Sequence, residues 1–252
     1  MQRVPIRPGE SAPDFTLPAV ERDGTVSLTD YRGRSPLFLA LFIGLWCPFC
    51  RRAIAQLGTT ESKLKAAGIE ALGIVASRPE NARLYFKYRP TRLRLAADPS
   101  LSTHRAYGVP KPAATPKLLF ASTRINPTGE FPEPLPIPQA AVAIGQFDGY
   151  TNTPEDQAEM DQQWPQLKGQ FLIDREGVVR WANIECAREG WAGVGKFPTD
   201  AEILGAAPLF PGKQGELGDL PAIRSRSPSA IRHPPDSKGM SRPFEAARSC
   251  VT

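Results

Sequence analysis

The feature that most constrains the fold is an apolar run that ends in two closely spaced cysteines, LFIGLWCPFCRRAIAQL, at residues 41–57. The apolar residues extend from position 36 to position 46, which is too short a stretch to cross a bilayer. A continuous apolar run of this length, bounded by Pro and a cysteine, is typical of a strand buried on both faces of a sheet. We therefore expect Cys47 and Cys50 to follow directly after a central strand.

Alternating helix and strand patterns follow this strand. Apolar residues recur at helical spacing over residues 48–66, and Gly68 supplies a stop. A second buried strand is predicted at residues 69–77, and a strand, helix, strand order within about 40 residues predicts a parallel crossover. The same rhythm continues with a helix at 79–88, a strand at 93–98 and a helix from 99 to 108.

Two hairpins and a last helix complete the predicted domain. Residues 9–35 contain short strand-like segments with Asp23 and Gly24 as a turn signal, so we predict an amino-terminal hairpin. In residues 169–185 two alternating apolar runs flank the turn sequence DREG, which predicts an antiparallel hairpin. The pattern also predicts a helix that begins at Thr199 and Asp200 and covers the sheet.

Two regions depart from this pattern. Prolines interrupt residues 110–165, where NPTGEFPEPLPIP is typical of an extended, polyproline-like segment and Thr115 with Pro116 suits the cap of one short helix. After residue 211 the composition changes to Ser, Arg, Pro and Gly with little apolar periodicity. We therefore predict one domain at 1–211, with an insertion at about 110–165, and a disordered tail at 212–252.

Charge and composition exclude several classes of protein. The net charge of +5 is mild, and the sequence has no Lys/Arg run or aromatic stripe that would indicate a nucleic-acid partner. The first 16 residues lack the apolar region of a secretory signal, so we expect a cytoplasmic protein without membrane association. Four cysteines are too few for a disulfide framework. In a reducing compartment a close C-x-x-C pair is expected to be catalytic or metal-binding.

The predicted position of Cys47 and Cys50 suits thiol chemistry. A cysteine at a junction of strand and helix meets unpaired backbone N–H groups and the positive end of the helix dipole, which lower the pKa of its thiol. Pro48 fits the first helical turn, and three-residue spacing brings Cys50 within disulfide distance. Arg51 and Arg52 add positive charge. The two cysteines are therefore predicted to act as a nucleophile and a resolving thiol.

Two other interpretations of the pair stay open. A zinc site would need two more ligands, and the remaining candidates show no paired spacing: Cys186, Cys250, His104 and His233. Inert core cysteines suit the middle of a strand or helix better than a junction followed by two arginines. We expect no metal or cofactor, and we expect Cys186 to be a small buried residue. The acidic residues at 155–161 are expected to form a solvated helix face.

Four sequence segments in a fixed order carry a resemblance to a known family. The segments PGESAPDFTLP, VSLTDYRG, WCPFC and GQFLIDREGVVRW resemble the alkyl hydroperoxide reductase and thiol-specific antioxidant family, over about residues 7–207 outside most of the insertion. This is the peroxiredoxin-like, or redoxin, branch of the thioredoxin fold. The resemblance implies an α/β thioredoxin-like fold, in which a central mixed sheet is flanked by helices and carries an N-terminal hairpin and a Pro-rich insertion.

The sequence departs from the peroxiredoxin pattern at the peroxide-binding residues. In the P-x-x-x-T/S-x-x-C motif a hydroxyl residue and an arginine orient the peroxide. Counted from Cys47, the hydroxyl position holds Gly44; counted from Cys50, it holds Cys47. The family's arginine before the hairpin strand corresponds to Lys168, which keeps the charge but loses the fork of donors. Thioredoxins have a proline directly before this strand, and the nearest one here is Pro165.

The resemblance implies a thiol-dependent antioxidant oxidoreductase. In this hypothesis Cys47 attacks a hydroperoxide or a disulfide, Cys50 resolves the product, and a thioredoxin-type or low-molecular-weight thiol reduces the resulting disulfide. The predicted supporting residues are Trp46, Pro48, Arg51 and Lys168. Three alternatives remain: exchanged roles of the two cysteines, a thioredoxin- or glutaredoxin-like disulfide reductase without peroxidase activity, and a non-enzymatic redox sensor or adaptor.

Overall fold

The computed structural model describes residues 4–113 and 117–207 of the 252-residue chain. The predicted tail at 212–252, Cys250 within it and the predicted cap at Thr115 and Pro116 lie outside the described residues. None of the helices in these two ranges has the length and the apolar character that crossing a membrane requires.

Strands and helices alternate along most of the described chain. The strands are β1 (Thr16–Pro18), β2 (Thr25–Ser27), β3 (Leu37–Phe42), β4 (Glu70–Val75), β5 (Arg94–Ala97), β6 (Arg124–Ile125), β7 (Leu135–Pro136), β8 (Gly169–Ile173) and β9 (Val179–Ile184). The helices are α1 (Pro48–Ala66), α2 (Pro79–Tyr88), α3 (Ser102–Ala106), α4 (Lys117–Ser122), α5 (Ile137–Phe147), α6 (Pro154–Gln163) and α7 (Asp200–Gly205).

A five-stranded mixed sheet, in the order β5-β4-β3-β8-β9, forms the centre of the fold. The β3 strand pairs in parallel with β4, and β4 pairs in parallel with β5. The β8 strand pairs antiparallel with both β3 and β9. This arrangement confirms the thioredoxin-like fold class, the parallel crossover and the antiparallel hairpin. The amino-terminal hairpin is also confirmed, as the pair β1 and β2.

The side chains of β3 alternate between two apolar clusters, one on each face of the sheet. The first cluster contains apolar residues of α1, α5 and α7 and takes from β3 the side chains of Phe38, Ala40 and Phe42. The second contains the amino-terminal hairpin and takes from β3 the side chains of Leu37, Leu39 and Leu41. Since both faces are covered, the central strand is buried throughout, as its continuous apolar run predicts.

The predicted helices and strands of the crossover region have nearly the predicted bounds. The helices at 48–66 and 79–88 are α1 and α2, and the strands at 69–77 and 93–98 correspond to β4 and β5. The helix predicted at 99–108 is shorter, because Leu101 adopts a left-handed conformation with φ of 58° before α3. Gly108, with φ of 68°, follows its last turn.

Residues 126–138, predicted to be an extended, polyproline-like segment of the insertion at about 110–165, instead contain a turn, the strand β7 and the start of α5. The described part of this region contains three helices, α4, α5 and α6, and the short hairpin of β6 and β7. Pro138 and Pro154 stand in the first turns of α5 and α6, where a missing N–H removes no helical hydrogen bond. Ile137, Ala140 and Ile144 of α5 are buried in the first apolar cluster, which holds the insertion on the domain.

The expected solvated face at residues 155–161 is also wrong for two of its carboxylates. Asp156 is buried, accepts a hydrogen bond from the Tyr150 hydroxyl at 2.7 Å and accepts another from the backbone N–H of Thr153. Glu159 is buried and accepts hydrogen bonds from Ser77 Oγ and from the backbone N–H of Arg78. These two carboxylates of the acidic helix can be buried because hydrogen-bond donors in the interior satisfy them.

The tight packing at Gly108 gives a test of this fold. A Cβ at this position would lie 2.2 Å from the backbone oxygen of Val4, at a positive φ. We expect Gly108→Ala to lower the free energy of unfolding by about 3 kcal/mol, from backbone strain and a contact that no side-chain motion relieves. Gly68→Ala is the matched control, with φ of 73° and open space around its Cβ, and should cost about 1 kcal/mol. Equal losses in urea unfolding would contradict the described packing.

Candidate active site

Cys47 and Cys50 lie at the junction of β3 and α1. Cys47 is the N-cap residue of α1, Pro48 occupies the first turn, and the backbone N–H of Cys50 donates to the backbone oxygen of Cys47 at 3.1 Å. Both cysteines are free thiols in this structure. Cys47 keeps 5% of its surface exposed, whereas Cys50 keeps none, so a reactant reaches Cys47 first.

The two thiols differ in acidity. Burial alone would raise the pKa of Cys47, but hydrogen bonding to Cys50 and the positive charge of Lys168 hold that pKa below its ordinary value. Burial raises the pKa of Cys50 well above its ordinary value, and the neighbouring Cys47 sulfur raises it further. Cys47 is therefore the thiol of the pair that ionises at the lower pH, and Cys50 stays protonated to a higher pH.

Lys168 and Glu185 form a buried ion pair beside the cysteines. Lys168 Nζ lies 3.0 Å from Glu185 Oε1, and the two side chains are 1% and 7% exposed. Backbone contacts reinforce the pair, since the Lys168 N–H donates to Glu185 Oε2 and the Glu185 N–H donates to the Lys168 carbonyl oxygen. Burial lowers the pKa of Lys168, but Glu185 and the two sulfurs raise it above its ordinary value, so the side chain stays charged.

Gln163, in α6 of the insertion, holds the loop that precedes Cys47. Its Oε1 accepts hydrogen bonds from the Gly44 backbone N–H at 2.7 Å and from the Trp46 indole N–H at 2.8 Å. Its Nε2 donates to the backbone oxygen of Ala76. The three bonds tie the loop after β3 to the end of β4, and they fix the orientation of the indole next to Cys47.

Ser77 and Glu159 form a second connection between the insertion and this loop. The Leu45 backbone N–H donates to Ser77 Oγ at 3.0 Å, and Ser77 Oγ donates to Glu159 Oε2 at 2.7 Å. Because Glu159 also belongs to α6, one helix of the insertion bonds the loop directly through a buried amide and, by way of Ser77, through a buried carboxylate. The loop is therefore preorganised by hydrogen bonds to side chains far away in the sequence.

Arg51 supports the same loop from its other side. Its Nη1 donates to the carbonyl oxygens of Leu45 at 2.8 Å and Trp46 at 3.3 Å. The guanidinium lies over the Tyr150 ring, 4.1 Å from the ring centre, and its Nε is 3.8 Å from Asp148 Oδ2. The structure thus places Arg51 in contact with the backbone before Cys47, with only 3% of its side chain exposed.

Four residues that position or charge the site were not predicted from the sequence: Gln163, Ser77, Glu159 and Glu185. No spacing signal points to Gln163, which bonds a residue 119 positions away. Glu185 could have been predicted from the hairpin, because the pairing of Gly169 with Ile184 places the preceding Lys168 opposite Glu185. A lysine and a glutamate opposite each other at the open end of the hairpin are the signal that could have found it.

Burial keeps the two other candidate side chains, those of Cys186 and His104, in their neutral forms. Cys186 is half-buried, with φ of 66°, and burial raises the pKa of its thiol to about 12. His104 is fully buried, which lowers the pKa of its imidazole to about 4. The peptide bond between Trp164 and Pro165 is cis. Within residues 4–113 and 117–207, no three His, Cys, Asp or Glu side chains are grouped as metal ligands would be.

The mixed sheet, with a thiol pair at the first turn of α1, defines a thioredoxin-fold protein. Residues 8–182 match the sequence model of the AhpC/TSA family. The chain belongs to this family, and the resemblance seen in its sequence segments is confirmed.

Curated relatives support this placement, and a solved structure shares the fold. Peroxiredoxin Bcp of Escherichia coli K12 is 29% identical over 106 residues, which are 42% of this chain and 66% of that protein. A Mycobacterium tuberculosis relative that carries a peroxiredoxin name is 30% identical over 104 residues, or 41% of this chain and 64% of that protein. The chain thus spans slightly less than two thirds of these relatives. The crystal structure of peroxidoxin BcpB from Mycobacterium tuberculosis shares the fold, with a TM-score of 0.50, 13% identity and coverage of 81% of this chain and 96% of that chain.

The role of Gln163 can be tested by its removal. We expect Gln163→Ala to lower the free energy of unfolding by about 2–4 kcal/mol, because the buried N–H groups of Gly44 and Trp46 lose their acceptor. Gln157→Ala, on the exposed side of the same helix, should cost less than about 0.5 kcal/mol. Urea unfolding measures both values. A loss in Gln163→Ala no larger than in the control would show that the amide does not hold the loop.

The charges beside the cysteines predict opposite pKa shifts in two variants. Lys168→Met should raise the pKa of Cys47, since it removes a positive charge that favours the thiolate, and Glu185→Gln should lower it, since it removes an opposing negative charge. The pH dependence of Cys47 alkylation, located by mass spectrometry, measures both pKa values, with exposed Lys65→Met as the control. General structural damage would shift the pKa of Cys47 in the same direction in both variants. That result would contradict the assigned effects of the two charges.

Proposed function

We propose that the chain is a thiol oxidoreductase that reduces hydroperoxides or disulfides through Cys47 and Cys50. The observation that carries this proposal is the inequality of the two thiols. Cys47 is slightly exposed and has a lowered pKa, whereas Cys50 is fully buried and has a raised pKa. A redox pair needs this division, with one thiolate that attacks and one protected thiol that resolves. Membership of the AhpC/TSA family supports the same chemistry.

In the first step the Cys47 thiolate attacks the electrophilic atom of the oxidised substrate. With a hydroperoxide, an S–O bond forms as the O–O bond breaks, which gives a sulfenic acid and, after protonation of the leaving oxygen, an alcohol or water. With a disulfide, a mixed disulfide forms and one thiolate leaves. The ammonium of Lys168 favours the attacking thiolate in both cases.

In the second step Cys50 resolves the product. Its sulfur bonds to Cys47, which releases water from the sulfenic acid or the second thiol from the mixed disulfide. Each turnover thus oxidises two thiols to one disulfide and reduces the substrate by two electrons. A thioredoxin-type dithiol or a low-molecular-weight thiol returns these electrons. A reducing compartment such as the cytoplasm completes the proposal, since the pair needs continual reduction.

A second candidate function is disulfide reduction without peroxidase activity. The observation that favours it is the residue at the hydroxyl position, Gly44, which offers no side-chain donor to a peroxide. The backbone N–H of Gly44 is also occupied, because it donates to Gln163 Oε1. A peroxide at Cys47 would therefore lack the hydroxyl donor that the family's motif supplies.

Rapid mixing of the reduced protein with three oxidants distinguishes these functions. The oxidants are hydrogen peroxide, an organic hydroperoxide and a protein disulfide, with oxidation followed by tryptophan fluorescence. We expect Cys47→Ser to abolish the reaction and Cys50→Ser to complete only the first step, with the sulfenic acid or mixed disulfide on Cys47 identified by mass spectrometry. Cys186→Ser is the control and should react like the unmodified chain.

The rates decide between the two candidates. Peroxide oxidation about a hundredfold or more faster than that of a free cysteine would establish a peroxidase. Peroxide oxidation at the rate of a free thiol, together with rapid exchange on the protein disulfide, would establish the disulfide reductase. Reaction through Cys50 in the Cys47→Ser variant would contradict the proposed roles of the two cysteines.

A further inference from the structure

A groove on the other side of Arg51 from the cysteine loop carries a concentration of positive charge. The groove has a volume of 710 Å³ and lies between α1 and the segment after α2. Four arginines line it, two from the amino-terminal part of α1 and two from the segment after α2: Arg51, Arg52, Arg89 and Arg92. We call it the arginine groove.

The negative charges near the arginine groove do not balance its arginines. Asp148 is the carboxylate in the lining, and it pairs with both Arg51 and Arg52. Glu130 pairs with Arg52 at 3.0 Å. Arg89 and Arg92 are both exposed, and within the described part of the chain their guanidinium groups form no salt bridge or hydrogen bond. Two guanidinium groups on one wall are thus available to a ligand.

Aromatic rings and hydroxyl groups shape the rest of the arginine groove. The guanidinium of Arg89 lies over the rings of Tyr85 and Tyr150, at 5.3 Å and 5.4 Å from their centres. Stacking holds the guanidinium plane by its face and leaves the N–H edge free to donate. The hydroxyl residues Thr59 and Thr91 stand on opposite walls. Because the Thr59 hydroxyl donates to the Gln56 carbonyl oxygen, the donors left for an anion are the guanidinium N–H groups of Arg89 and Arg92 and the Thr91 hydroxyl.

We propose that the arginine groove binds a small molecule that bears a phosphate group. Guanidinium groups bind phosphate oxygens in a bidentate manner, and two or more of them together favour a dianion over a single carboxylate. The arginines are confined to one cavity rather than arranged along a stripe, which suits a small molecule better than an extended acidic chain. A volume of 710 Å³ holds more than one phosphate, so a diphosphate or a phosphate ester fits it.

Isothermal titration of the full-length reduced protein tests this site. The probes are orthophosphate, pyrophosphate and ATP, at low ionic strength and without divalent cations. We expect saturable binding of pyrophosphate at one site per chain and binding at least about tenfold weaker in the double variant Arg89→Gln, Arg92→Gln. The matched control, Arg34→Gln with Arg175→Gln, removes two exposed arginines outside the groove and should bind like the unmodified chain.

A further variant provides an independent test of the groove if the double variant folds poorly. Thr59→Glu places a negative charge on the α1 wall, leaves all four arginines in place and should weaken binding by a similar factor. Thermal unfolding of each variant reports whether it is folded. A Thr59→Glu variant that is folded and binds pyrophosphate as well as the unmodified chain would overturn the proposal.

The remaining outcomes identify the ligand or reject the site. Tighter binding of ATP than of pyrophosphate supports a nucleotide, whereas equal binding supports recognition of the phosphate groups alone. The absence of saturable binding by all three probes would overturn the proposal. Equal displacement of pyrophosphate by a poly-glutamate peptide would also overturn it, because the groove would then be a general attractive surface.

Discussion

The positive charge of Lys168 and the negative charge of Glu185 lie side by side in the interior, beside two thiols that must become charged to react. Burial of an ion pair is costly, and breaking it by removal of one partner leaves the other charge uncompensated. Reciprocal backbone contacts across β8 and β9 hold the pair in place. Because little water reaches this site, the charges act strongly on Cys47. The acidity of the Cys47 thiol therefore depends on the register of the hairpin of β8 and β9, which pairs directly with β3.

The loop before Cys47 is the second determinant of the site, and its geometry depends on groups outside the four sequence segments that resemble the family. In place of a hydroxyl residue the loop has Gly44, whose backbone N–H bonds Gln163. The indole of Trp46 bonds the same amide oxygen, and Arg51 binds the loop carbonyls from the opposite side. The backbone is thus held from two directions, and both cysteines begin α1 in a defined orientation.

Most of the sheet could be predicted from the sequence, because buried parallel strands and an amphipathic helix leave clear periodic signals in residues 36–97. The insertion could not, since a proline in the first turn of a helix looks the same in sequence as a proline in an extended segment. The two cysteines and Lys168 could be predicted from sequence motifs and from their order along the chain. Gln163 and Glu159 could not be predicted, because the sequence of a polar helix does not show that the partner of one of its side chains lies at the end of a distant strand.

The helix α6 lies in the insertion, yet it supports the loop before Cys47 and therefore belongs to the core of the domain. A deletion that trims residues 110–165 to the size of a minimal thioredoxin fold would also remove the amide and the carboxylate that hold the loop before Cys47. Removal of this segment would therefore alter the surroundings of the Cys47 thiol itself. Conversely, a change of side chains on α6 offers a way to tune the thiol from outside the C-x-x-C sequence.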